Sequence, residues 1–125
     1  MLSKNKISLV RYTIEKMYTG TCTVTEHRKE TDENTKLTGY HDVTVLEGQP
    51  CRLSFQKITS AGQDSSAVTV AQTAKLFIAP EITIKPGSKI TIMQEGITTD
   101  YTYSGVPAVY PTHQEIMLEL FERWS

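Results

Sequence analysis

What this chain has little of bounds it first. It contains two cysteines, Cys22 and Cys51, in 125 residues. Two thiols are too few for a disulfide framework. Their alternating or apolar surroundings read as two small buried hydrophobes. No stretch approaches the ~18 apolar residues of a membrane span. The start, Met1-Leu2-Ser3-Lys4-Asn5-Lys6, is basic, but no apolar run follows it, so no secretory signal is expected. Synthesis in the cytoplasm, with the thiols reduced, is the expectation. The formal net charge is -1, which gives no global field to draw in nucleic acid or a membrane.

Catalytic motifs are absent as well. There is no G-x-S-x-G elbow, no P-loop and no dinucleotide fingerprint. The three histidines are His27, His41 and His113, and none has metal-ligand spacing with a cysteine. His113 and Glu115 would share one side of a strand, and His41 adjoins Asp42. Surface hydrogen bonding is the better reading of both pairs. The chain is therefore expected to be no enzyme and to hold no cofactor or metal.

What is present is a single-domain length with a modest apolar fraction of 38%. A chain of this size buries roughly two-thirds of its unfolded surface, enough for a core without metal or disulfide. Ile7, Val10, Ile14 and Met17 recur at helical spacing, widened by Leu9 and Tyr18, and predict a short amphipathic helix over 4–18 that Gly20 ends. A strand through Val10, Tyr12 and Ile14 competes with it. Thr21 to Glu30 reads as a strand with Cys22 and Val24 inward, and Asp32-Glu33-Asn34-Thr35 as a turn. Gly39 to Leu46 resumes alternation, with Val43 and Val45 on one face. Cys51, Leu53 and Phe55 mark another strand, and Leu76, Phe77 and Ile78 a buried one.

Between these last two strands lies Ile58 to Ala74, whose only formal charge is Asp64. Its small, polar residues read as a long mobile loop. Loops beyond ~12–15 residues are usually functional or disordered, and a passive linker has equal standing. Further on, Lys85-Pro86-Gly87-Ser88 is a tight turn. Ile90 and Ile92 alternate with Thr91 and Met93. Then Ile97, Thr99, Tyr101 and Tyr103 share a face, giving an antiparallel meander. The last segment has two readings. Thr112-His113-Gln114-Glu115 matches a capping box, while Ile116, Leu118 and Leu120 alternate as in a strand. Tyr101, Tyr103 and Tyr110 suggest a base-stacking platform, or packing within a barrel or an interface. Packing is favoured, because basic residues are not interleaved with the tyrosines. The whole predicts a mainly β fold: a small antiparallel β-barrel with a short N-terminal helix and a long inter-strand loop.

One further pattern concerns the wording of the chain. Lys85-Pro86-Gly87-Ser88-Lys89-Ile90, then Tyr101-x-Tyr103-Ser104-Gly105-x-Pro107-Ala108-Val109-Tyr110-x-Thr112-His113-Gln114-Glu115, resembles small minor capsid proteins of tailed phages and prophages of Gram-positive bacteria, head-to-tail connectors of the stopper type. Tyr18-x-Gly20-Thr21-Cys22-Thr23-Val24, Pro50-Cys51-Arg52-Leu53-Ser54-Phe55 and Ala74-Lys75-Leu76-Phe77-Ile78 extend the resemblance over most of the chain, in order. No piece of it is a mechanistic motif. The resemblance implies a virion β-barrel that joins a ring with its own copies, contacts portal or adaptor and tail-completion proteins, and helps retain packaged DNA. It implies a closing strand for the last segment. It also implies a channel loop in the position of 58–74, with Gly62, Gln63, Asp64, Ser65 and Ser66 at its centre. Low charge there suits DNA that must later pass. The charged rim Glu26, Arg28, Lys29 and Glu30 is, from exposure alone, a candidate assembly contact. A small nucleic-acid-binding barrel and a tail-completion protein are the alternatives.

Overall fold

The computed structural model describes residues 3–61 and 68–124. Among the described residues one helix, α1 (Lys4–Glu15), precedes seven strands: β1 (Gly20–Thr31), β2 (Thr38–Ala61), β3 (Val68–Ile78), β4 (Lys89–Gln94), β5 (Ile97–Thr102), β6 (Ala108–Val109) and β7 (Gln114–Leu120). Every pairing is antiparallel. The strand order is β3-β2-β1-β4-β5-β7-β6, and β3 pairs again with β7. Six strands therefore close into a ring of backbone hydrogen bonds, with β6 attached outside it. Within the ring itself closure leaves no free edge. This is the mainly β, barrel-like architecture that the alternation predicts.

The inward residues of each strand meet in one core. Cys22 and Val24, Cys51 and Leu53, Leu76 and Ile78, Ile90 and Ile92, and Ile116 and Leu118 are all buried. Tyr101 and Tyr103 join them, and the Tyr103 hydroxyl donates to the Ile84 carbonyl. Burial pushes the Tyr103 phenol up. Two register shifts interrupt β1–β2, between Cys22 and Val24 and between Val24 and Thr25. Gly48, at φ 64°, lies within the first. Each extra residue on β2 exchanges its faces, so Leu46 packs on the core while Val45 is exposed. Glu95 and Gly96 both have positive φ, as a two-residue hairpin turn between β4 and β5 requires.

Four expectations are corrected. The helix ends at Glu15 rather than residue 18. Met17 and Tyr18 bond back to Ile14 and Glu15 at i→i+3 spacing, the tightening that ends many helices. Gly20 does not end the helix but begins β1. The long loop at 58–74 is largely strand, because Ile58 to Ala61 pair with Ala71 to Val68. Thr59, Thr69, Val68 and Val70 supply the β-propensity that the tally of small residues obscured. Finally, Phe77 is only half-buried, since it points outward between the two buried neighbours Leu76 and Ile78. The last segment is a strand, as the resemblance implied. The Gln114 amide donates to the carbonyls of Ala79 at 2.9 Å and Ile82 at 2.5 Å, which ties β7 to the 79–82 turn.

Candidate functional site

The distinctive surfaces lie where strands outrun the ring. The β1–β4 pairing stops at Thr25 with Lys89, yet β1–β2 continues to Thr31 with Thr38. Residues 26–31 and 38–43 thus form a first arm. At the other end of β2, the β3–β7 pairing stops at Ala74 with Leu118, while β2–β3 continues to Ala61 with Val68. That is a second arm. The 24 residues of β2, at most ~80 Å when fully extended, carry one arm at each end. Gly62, Gln63, Asp64, Ser65 and Ser66, the expected channel residues, lie outside the described residues.

A two-stranded ribbon alone is marginal in water, and the first arm is buttressed. The His27 ring lies between Tyr40 and Trp124, with centroids 4.8 Å away on both sides and planes within 5° and 12°. His27 Nδ1 is 2.9 Å from Asp42 Oδ1. Phe121 meets Trp124 edge-on at 4.9 Å, and Lys89 Nζ stands 5.3 Å and 5.7 Å from those two rings. The expected neighbour pair of His41 and Asp42 is therefore not the one formed; Asp42 pairs across the hairpin, where register sets it opposite His27. Sequence reasoning missed this stack. Diagonal cross-strand placement of His27 and Tyr40 was a usable signal, but nothing in the sequence brought Trp124 to them.

The four rim residues divide. Glu26 is nearly enclosed, with Arg28 at 2.9 Å and Lys85 at 3.9 Å. Arg28 is occupied by that pair. Lys29 and Glu30 are exposed, and among the described residues neither makes an ion pair. Arg28, Lys29 and Glu30 all face outward, and of these Lys29 and Glu30 are the two without an ion pair among the described residues.

His113 and Glu115 do share a side, as expected. His113 Nε2 is 2.9 Å from Glu115 Oε2, Lys75 Nζ is 3.2 Å from Glu115 Oε1, and the Thr112 hydroxyl is 3.0 Å from His113 Nδ1. The hydrogen bond with His113, and then Lys75, hold Glu115 below its usual range. Every polar atom of the imidazole is thus engaged by a neighbour. Among the described residues, no group of three or more His, Cys, Asp or Glu is placed to hold a metal ion.

The tyrosine platform does not form. Tyr101 and Tyr103 are only 6% and 3% exposed, whereas Tyr110 is 45% exposed and stacks on His113. Two of the three rings are core, so no base can reach them. Cys22 and Cys51 are free and fully buried; their mutual hydrogen bond and burial push the Cys51 thiol up, far from a reactive thiolate.

Apolar surface also stays exposed on α1 and at one end of the ring. α1 has no buried residue. Its C-terminal end lies beside Arg52, Phe77 and His113, and Arg11 pairs with Glu81. At the end of the ring where the second arm leaves, a cleft of about 600 Å³ is floored by Ala74, Tyr101 and Leu118 and edged by Phe55, Leu120, Glu119, Glu122 and Arg123. Among the described residues, no helix is long and apolar enough to cross a membrane.

No protein-family model and no curated protein matches the chain. Among solved structures, it is similar to the phage-like element PBSX protein xkdH from Bacillus subtilis, at 14% identity, over 80% of this chain and 91% of that one, with a TM-score of 0.48. A likeness at that level carries neither fold nor function across.

Proposed function

We propose that the chain is a non-enzymatic structural subunit of a phage virion or phage-like particle. In this reading it forms a ring with its own copies between portal or adaptor and tail, and helps retain packaged DNA. The sequence resemblance supplies the class. The observation that carries the reading is the second arm: β2 and β3 stay paired past the closed ring as far as Ala61 and Val68, within the stretch 58–74 that the resemblance assigns to the channel. A rigid ring with arms at both ends of one strand suits a subunit that must touch neighbours on several sides. The exposed pair Lys29 and Glu30, at the first arm, is a contact to a neighbouring subunit. The burial of Tyr101 and Tyr103 weighs against the nucleic-acid-binding barrel.

The test is the protein content of particles purified from cells that carry the gene. The reading expects this chain in full particles in ring-like copy number, resisting a salt wash. Its absence from purified particles, with the protein abundant in the lysate, would overturn the reading.

A further inference from the structure

We propose that α1 of one copy lays its exposed apolar residues Leu9, Val10 and Tyr12 over the open cleft at the second-arm end of the ring in the next copy. The proposal rests on the ring reading for one thing, that the partner is a second copy of this chain.

The helix asks for a cover. Leu9 is 66% and Tyr12 60% exposed, while Ile7 and Ile14 are half-buried and Ile14 lies beside Phe77 and His113 of the same chain. Twelve residues make a marginal helix on their own. Lys4 and Lys6 in the first turn, with no acidic residue there, oppose the helix dipole. Such a helix gains from an apolar surface with carboxylates near its N-terminus.

The cleft offers that combination. Its floor is Ala74, Tyr101 and Leu118, and its apolar edges Phe55 and Leu120 are largely exposed. Glu119 and Glu122 stand on the rim against a single cation, Arg123. Lys4, Lys6 and Lys16 of the helix segment are exposed and opposite in sign. A helix of this length, ~18 Å long and ~10 Å wide, is too large to enter about 600 Å³, so it lies across the opening and inserts side chains.

Placement makes the contact intermolecular. α1 rests by His113, just before β7, while Leu118 and Leu120 of the cleft are at the far end of that strand. A seven-residue strand spans about 20 Å, and with Arg11 held by Glu81 and Ile14 beside His113, no residue of α1 lines the molecule's own cleft. The two surfaces differ, which makes the contact heterologous: it closes into a ring or runs on, according to the rotation per subunit.

Two exposed substitutions test this with purified full-length chain. Leu9→Asp spoils the helix face and Leu120→Asp spoils the cleft. Circular dichroism and unfolding curves verify that both variants fold. Sedimentation should show wild-type chain associating with concentration, each variant alone monomeric, and an equal mixture forming dimers and nothing larger, since the mixture retains one intact helix and one intact cleft. A wild-type chain monomeric at its highest soluble concentration would overturn the proposal, and is what docking of α1 on a different virion protein predicts. Association of either variant alone, or a mixture that stays monomeric, would overturn it too. Loss of the mixed dimer with the protein still present in particles removes this contact and leaves the structural role; a mixed dimer from a protein absent from particles does the reverse.

Discussion

The Gln94 side chain pairs with both backbone groups of Leu53: its Oε1 accepts from the Leu53 N–H at 2.8 Å, and its Nε2 donates to the Leu53 carbonyl at 3.0 Å. β1 begins at Gly20, so β2 and β4 face one another just beyond its end. The amide occupies that gap as a further strand residue would. Gln94→Ala leaves two part-buried backbone groups without protein partners, at about 1–3 kcal/mol. Urea unfolding should show the loss as a lower midpoint at unchanged slope. An unchanged midpoint would mean that water replaces the amide without cost.

Gly20 lies under the same amide. A Cβ there would meet Gln94 Oε1 at 3.1 Å and the carbonyl oxygens of Met93 and Cys51 at 3.2 Å and 3.3 Å. Two of the three are backbone in paired strands, which yield poorly. Gly20→Ala should therefore destabilise by about 1–3 kcal/mol, although alanine is usually the more favourable residue in a strand. A thermal midpoint equal to wild type would contradict this.

Acid should weaken the fold partly through Glu115. His113 and Lys75 keep its folded pKa below its unfolded value, which is ~4.3. Between those two values the unfolded chain binds the extra proton, so stability rises with pH there. The contribution is fully present above the unfolded value and is lost as pH falls through the folded one. Glu81, held down by Arg11, acts in the same direction. Glu115→Gln should flatten part of the acid limb, by about 1 kcal/mol or less for so accessible a cluster. Parallel acid limbs in variant and wild type would show that Glu115 is unlinked to folding.

Cys22 and Cys51 should resist alkylation in the native protein. Both are fully buried, so reagent reaches them only through opening of the ring, and labelling should accelerate in step with global unfolding as urea rises. Rapid stoichiometric labelling without denaturant would contradict the closed ring.

The exposed rim should matter to assembly and not to folding. Lys29→Ala with Glu30→Ala is expected to shift stability by no more than ~0.5 kcal/mol, while reducing the amount of the chain retained in purified particles. Full retention would remove these residues from the contact.

Much of the ring was legible because burial follows strict alternation. Cys22 and Val24, Ile90 and Ile92, and Ile116 and Leu118 each sit two apart and face one core, as period two requires. Where backbone pairing rather than burial makes the strand, the signal fades. Residues 58–61 and 68–71 are paired, yet small polar residues there resemble a loop. The bulges at Cys22–Thr25 swap the faces of β2, so the shared parity of Val43 and Val45 did not predict which residue turns inward; Leu46 does. The charged rim was visible as a run of charges, but the enclosure of Glu26 by Arg28 and Lys85 was not, because Lys85 comes from a distant turn. The helix was legible from its stripe. That Ile7 and Ile14 would be half-covered while Leu9 and Tyr12 stay exposed was not, since amphipathicity marks a face without naming what lies against it.

The central claim, that this chain completes a head and joins it to a tail, is tested most directly by electron microscopy of lysates after its gene is interrupted early in its own phage or prophage. The account predicts separate tails beside emptied or leaking heads, restored by wild-type chain supplied in trans. Intact, tailed, infectious particles without the chain would contradict it.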